Sequence, residues 1–165
     1  MLVAAWHRVR QFFGALRPRV TPAARAEAYA WLDEPLRPAF ESMMLRDQQH
    51  GIIVYQRVRA ASSTDDRALF AAALLHDCGK GRVALWQRVA HVLLDATGPR
   101  LERAIARDDG AAWRQAFWRL RHHPELGARM VERLGADPDV VRMIREQDIE
   151  SPDERLALLQ AADEA

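Results

Sequence analysis

Lysine and cysteine are nearly absent from this chain: Lys80 and Cys78 are the only residues of each kind. A lone cysteine has no partner for an internal disulfide, which excludes a small secreted scaffold held by disulfides. No run of 18 apolar residues exists, so no segment reads as a membrane-spanning helix. The start of the chain also lacks the charged, apolar and small-residue regions of a cleaved secretion signal. A cytoplasmic location is the expectation. Charge of one sign is lacking as well, since 24 basic residues against 23 acidic ones leave a net charge of +1. That balance speaks against a general nucleic-acid binder working through a basic surface, and any anionic partner should be held locally.

What is present is globular: 165 residues, 49% hydrophobic and 28% charged, enough for about one domain with a core of its own. Apolar residues recur at three- and four-residue spacing along nearly the whole chain, and period-2 runs of β-branched residues do not occur. The expectation is an all-α, single-domain helical bundle. Start signals at Thr21-Pro22, at Ser63 with Asp66 three residues on, at His123-Pro124 and at Ser151-Pro152, with stops at Gly79, Gly81, Gly98, Gly110 and Gly135, divide it into helices. These fall at 2–16, 22–33, 37–60, 64–77, 83–96, 99–108, 110–121, 124–134, 138–148 and 152–163.

Helical projection sorts the six histidines. His50 falls on the stripe Met43, Asp47, His50, Val54, Val58, and His123 lines up with Leu126, Met130 and Leu134. His76 closes Ala71-Ala72-Ala73-Leu74-Leu75, which is apolar on every face and reads as the most buried helix. His91 shares a face with Gln87, Arg88 and Asp95, and His7 with Arg10 and Gln11; both are expected in solvent. His122 turns about 100° away from His123 and stays in reserve. Among carboxylates, Asp77 ends the apolar central helix and Asp163 continues the stripe Leu156, Leu159. A lone buried carboxylate costs several kcal/mol without a compensating charge or metal. For any one of these residues a buried Asp–Arg pair or a satisfied core histidine is the commoner outcome. A metal site with nitrogen and oxygen ligands accounts for all five together, and such a ligand set suits first-row divalent ions without selecting one. Cys78 reads better as a small apolar residue than as a further donor.

Leu75-His76-Asp77-Cys78-Gly79-Lys80 resembles the signature of the HD superfamily of metal-dependent phosphohydrolases, all-helical proteins named for an adjacent His and Asp that bind metal. The longer string from Ala72 to Lys80 is similar to the variant in which HD is followed by a small residue, Gly and Lys. The resemblance runs from about Asp47 to Asp163, and the expected division is residues 1–36 as N-terminal helices packing on the core of an HD domain at 37–165. The resemblance implies His50, His76, Asp77 and Asp163 as ligands of one divalent ion, which would be Mn, Fe, Co, Ni, Zn or Mg. His123-Pro124-Glu125-Leu126-Gly127 is similar to a His-Pro-x-x-Gly element that helps bind a second metal in several members. The His-His pair of those members is missing, with Ile144-Arg145-Glu146-Gln147-Asp148 in its place. Glu146 or Asp148 would be the oxygen donors there. The Gly-Tyr-Pro element of the cyclic-di-GMP phosphodiesterase subgroup is absent too.

The function this implies is hydrolysis of a small phosphoester, a nucleotide in the first instance. Asp77 would accept a proton from water. Lys80, a compact ammonium between two glycines, either neutralises substrate phosphate or faces the helix dipole. The alternative is a regulatory HD module without turnover, acting through a protein partner. Met1–Leu16 carries an apolar stripe (Val3, Trp6, Val9, Phe13, Leu16) that suits packing on its own domain or on a second subunit, hence a homo-oligomer, and a membrane surface is the third option. Trp113 and Trp118 read as core aromatics before they read as nucleobase platforms.

Overall fold

The computed structural model describes residues 18–84, 86–91 and 105–165. Every regular element among them is helical: α1 (Pro22–Trp31), α2 (Arg37–Ser42), α3 (Leu45–Ala61), α4 (Arg67–Leu75), α5 (Ala112–Arg133), α6 (Pro138–Arg145) and α7 (Glu154–Glu164). Short 3-10 turns occupy Glu34–Leu36 and Cys78–Lys80, and residues 86–91 are helical as well. The helix expected at 2–16, with its stripe and His7, lies outside the described residues, as does most of 99–108.

The all-apolar segment dictates the architecture. Every residue of α4 from Leu69 to Leu75 is buried, and each of its large side chains contributes about 1.5–3 kcal/mol on leaving water. An element apolar all round must be covered on all sides, and α1, α3, α6 and α7 do so. Trp31 of α1 and Tyr55 of α3 meet Phe70 edge-on, with ring centroids 4.8 and 5.5 Å away. Ala28, Leu32 and Leu36 belong to the same buried cluster as Leu156 and Leu159 of α7. A smaller cluster of Val83, Ala116 and Leu120 holds the segment after Lys80 against α5.

Several boundaries differ from the sequence expectation, each for a local reason. The helix expected at 37–60 is two helices, interrupted at Met43 and Met44, whose ψ angles of 149° and 147° are extended. Ser42 Oγ donates to Ala39 O, and Gln48 Nε2 donates to Met43 O, so side chains take over part of the backbone pairing. Asp66, not Ser63, caps α4 by accepting from Leu69 N, and Asp153, not Ser151, caps α7. The helix expected to run to Asp148 ends at Arg145.

The largest difference is at His123-Pro124, which begins no helix: α5 runs unbroken through it from Ala112 to Arg133. Proline removes the N–H that would bond Leu120 O. His123 Nδ1–H donates to that same carbonyl at 2.7 Å, so the acceptor freed by the proline is satisfied by the neighbouring imidazole.

Candidate metal centre

Two close helix approaches assemble the site. A Cβ on Gly51 would stand 2.6 Å from Leu74 O, so only glycine lets α3 lie this tightly on α4. His50 precedes that glycine and His76 follows Leu75, and their rings come to 5.1 Å between centroids. A Cβ on Gly79 would stand 2.0 Å from His123 O and 2.5 Å from Gly127 N. The Cys78–Lys80 turn is thereby pressed onto α5, with His123 Nε2 3.6 Å from Asp77 Oδ1.

His76 and Asp77 are both 2% exposed, and His76 Nε2 lies 3.4 Å from Asp77 Oδ1 and 3.4 Å from Asp163 Oδ1. His50 Nε2 is 2.6 Å from Asp163 Oδ1. One donor atom each from His50, His76 and Asp77 fit within 4.8 Å of one another; Asp163, with a side chain 43% exposed, is not part of that compact group and meets only its two histidines, from the solvent side. His76 Nδ1 donates to Ala73 O at 2.9 Å. That bond sets the tautomer and leaves the Nε2 lone pair for the site, as the bond to Leu120 O does for His123. His76 Nε2 and Asp77 Oδ1 are nevertheless buried without a hydrogen-bond partner. Lys80 Nζ stands 2.6 Å from Asp77 Oδ1, an ion pair whose angles are not those of a hydrogen bond. Two orphaned acceptors converging beside two further donors are the signature of a cation position. The residues fit a divalent ion.

The electrostatics agree. Burial opposes charge on Asp77, but His76 and Lys80, with His123 and His50, hold its carboxyl well below the usual carboxylate range. Burial likewise opposes protonation of His76, and Asp77 and Asp163 outweigh it, raising its pKa. On Asp163 burial acts upward, but the bond from His50 and the nearness of both imidazoles lower the pKa. Burial and the Lys80 charge push His123 down to about 4. Burial pushes the Cys78 thiol up to about 12, so it is an inert core residue.

The remaining expected residues divide. Asp148 lines a recess of about 370 Å³ together with Asp163 and Gln147, and burial raises its pKa. Glu146 is not drawn in and pairs with Arg142 at 3.5 Å. Gln147 is buried, and its Nε2 donates to His76 O at 3.1 Å, fixing the backbone of a site histidine. His91 is half-buried. Trp113 is 42% exposed, and Trp118 stacks on His122 at 4.7 Å.

The sequence reading missed a buried ion pair beside the centre. The face carrying Gln87 and Arg88, expected in solvent, is turned inward. Arg88 Nη1 and Nη2 donate to Asp47 Oδ1 and Oδ2 at 2.8 and 2.6 Å, and Asp47 is 2% exposed. The signal was Asp47 itself, on the apolar stripe of His50. A cleft of about 480 Å³ opens over this pair and over His50, Asp77, Lys80 and Asp163.

An all-helical domain whose most buried helix runs into an adjacent His and Asp, met by a histidine and an aspartate from flanking helices, defines a class of helical metal-site proteins. Within that class the HD domain family model matches residues 47–165, and the chain belongs to the HD domain family, a superfamily of metal-dependent phosphohydrolases. No curated protein and no solved structure matches the chain. No helix among the described residues is long and apolar enough to cross a membrane.

Proposed function

We propose that this chain is a metal-dependent phosphohydrolase acting on a nucleotide or a related small phosphoester. His50, His76, Asp77 and Asp163 would hold one divalent ion. The observation that carries this reading is the pair of buried acceptors without partners, His76 Nε2 and Asp77 Oδ1, 3.4 Å apart under an open cleft. When bound, such an ion supplies a Lewis acid that acidifies water and polarises a phosphoryl oxygen.

The chain's own residues do the rest. An Asp77 oxygen takes the proton of the attacking water as the water oxygen bonds phosphorus and the ester bond breaks, the leaving oxygen taking a proton from solvent; Asp77 is suited to this by its position at the site, since its lowered pKa keeps it ionised but does not make it a stronger base. Lys80 fixes that carboxylate from the cleft side and adds positive charge where phosphate charge accumulates. The Nδ1 bonds of His76 and His123 to backbone carbonyls keep both rings oriented.

One observation favours the second reading, a regulatory module without turnover. Gln147, where two-metal members carry a histidine, is committed to His76 O. The two readings separate in one experiment. Purified protein loaded with Mn, Co, Ni or Mg is assayed on a nucleotide panel, with elemental analysis alongside. The enzyme reading expects close to one ion per chain and turnover, with both abolished in a folded Asp77→Ala variant. Undiminished metal in that variant overturns the ligand assignment, and bound metal without turnover on any phosphoester leaves the regulatory reading.

A further inference from the structure

Four cations line the cleft over the metal centre: Arg46, Arg57, Lys80 and Arg88. Three are committed. Arg88 gives both terminal nitrogens to Asp47, Lys80 stands on Asp77, and Arg57 Nη1 donates to Ala162 O at 2.9 Å, tying α3 to α7. Arg46 is different. Among the described residues its Nε and Nη1 are buried without a hydrogen-bond partner, and none of the carboxylates described pairs with it as Asp47 pairs with Arg88.

Its position makes the lack of a partner costly. Arg46 lies in the first turn of α3, where the positive end of the helix dipole disfavours a cation. The Arg88 guanidinium is near enough to repel it, with Asp47 as the opposing charge. A guanidinium cannot shed its proton to escape the cost, and its buried nitrogens forgo hydrogen bonds that water would have provided. An anion in the cleft would offset the guanidinium charge and bond Nη2, the one Arg46 nitrogen that is not among the buried atoms without a partner. Among the described residues the carboxylates there are otherwise engaged, Asp47 by Arg88 and Asp77 with Asp163 by the metal centre, which points to an anion that comes with the ligand.

We infer that Arg46 is a specificity-determining residue that binds a second anionic group of the substrate beside the phosphate held at the metal centre. The substrate class this selects is a nucleotide carrying two phosphate groups, not a nucleoside monophosphate. The inference rests on the phosphohydrolase reading for the placement of the first phosphate. Guanidinium–phosphate bonds are among the stronger polar contacts, and their loss weakens binding by roughly tenfold to a hundredfold.

The test is a binding measurement, independent of turnover. Mn-loaded protein is titrated calorimetrically with AMP, ADP and adenosine 3′,5′-bisphosphate, and Mn content is determined separately. At least one of the doubly phosphorylated ligands should bind about tenfold or more tightly than AMP. Arg46→Ala should remove that advantage while sparing Mn content and AMP affinity, and Arg46→Lys, which keeps the charge but not the planar fork, should restore part of it. If the alanine variant does not fold, Arg46→Gln serves in its place. Wild-type protein that binds all three ligands alike, or an uncharged variant that keeps the preference, overturns the inference. If Mn does not bind, the titrations are run with Co, Ni or Mg, and failure of every one of these ions to bind overturns the metal-centre reading and this inference with it. A preference that depends on Arg46 without hydrolysis of any phosphoester upholds the subsite and refutes only the enzymatic reading.

Discussion

Gly79→Ala tests how the site is put together. The new Cβ would meet His123 O at 2.0 Å and Gly127 N at 2.5 Å. Both are main-chain atoms of α5, so no side-chain rotation makes room. Restoring ordinary contact, about 3.5 Å or more between heavy atoms, requires the Cys78–Lys80 turn and α5 to separate by an ångström or more. Overpacking of this kind costs about 1–3 kcal/mol, and rigid backbone on both sides places Gly79 at the upper end. For a chain of this size about 3 kcal/mol lowers Tm by roughly 6–12 °C. Gly135→Ala is the control, because nothing lies within 4 Å of its Cβ although its φ is +80°; it should cost only the left-handed backbone penalty of about 1–2 kcal/mol. Differential scanning calorimetry gives both Tm values. Imidazole NMR of His123 gives the second readout, since α5 should carry its Nε2 away from Asp77 Oδ1, now at 3.6 Å. A Gly79→Ala protein more stable than Gly135→Ala, with the His123 signals unmoved, would refute the account of the glycine as the spacer between turn and helix.

Lys80→Ala should destabilise metal-free protein by about 2–3 kcal/mol, because it strips a largely buried carboxylate of its close cation. Metal should rescue most of that loss, and kcat/KM should fall while metal content holds; equal destabilisation with and without metal, with unchanged kinetics, would return Lys80 to a helix-end role. His123 supplies a pH signature. Its pKa is pushed from 6.5 to about 4 in the fold, so the unfolded chain binds the extra proton first. The neutral ring's full contribution is therefore present above pH 6.5 and is lost as pH falls from about 6.5 to about 4, a change on the order of 3 kcal/mol. Denaturant melts across that window should be flatter in His123→Gln, and parallel curves for the two proteins would contradict the burial argument.

The helical class and the central position of α4 were legible because they rest on periodicity and on an unbroken apolar segment, and packing enforces both. His50, His76 and Asp77 were legible for the same reason, as polar residues on faces where only apolar ones are otherwise found. The continuity of α5 was not. Proline reads as a start signal because its missing N–H is harmless in a first turn, and nothing in the spacing announces that the preceding histidine will take the carbonyl that proline abandons. The inward turn of Arg88 was hidden likewise, since a charged face reads as solvated until its partner, Asp47, is known to be buried forty-one positions earlier. The closeness of the helices was also out of reach: Gly51 and Gly79 are single residues whose role exists only through Leu74 O and His123 O.

These features bear on why a chain with 23 arginines keeps a lysine at position 80. The cleft already holds three guanidiniums, each a planar fork of five donors that needs acceptors arranged to match. Beside Asp77 the acceptors are few: Oδ1 faces His76 at 3.4 Å and His123 at 3.6 Å, and a metal ion would draw on the same oxygen. A guanidinium there would bring more N–H groups into a pocket with little left to receive them, leaving buried donors unsatisfied. An ammonium concentrates its charge at one point and turns its three donors freely, so at 20% exposure it can stand 2.6 Å from the carboxylate and keep its other donors toward the cleft. Lysine at this position is thus set by the geometry of a crowded carboxylate, and positive charge alone, which arginine supplies everywhere else in the chain, would not select it.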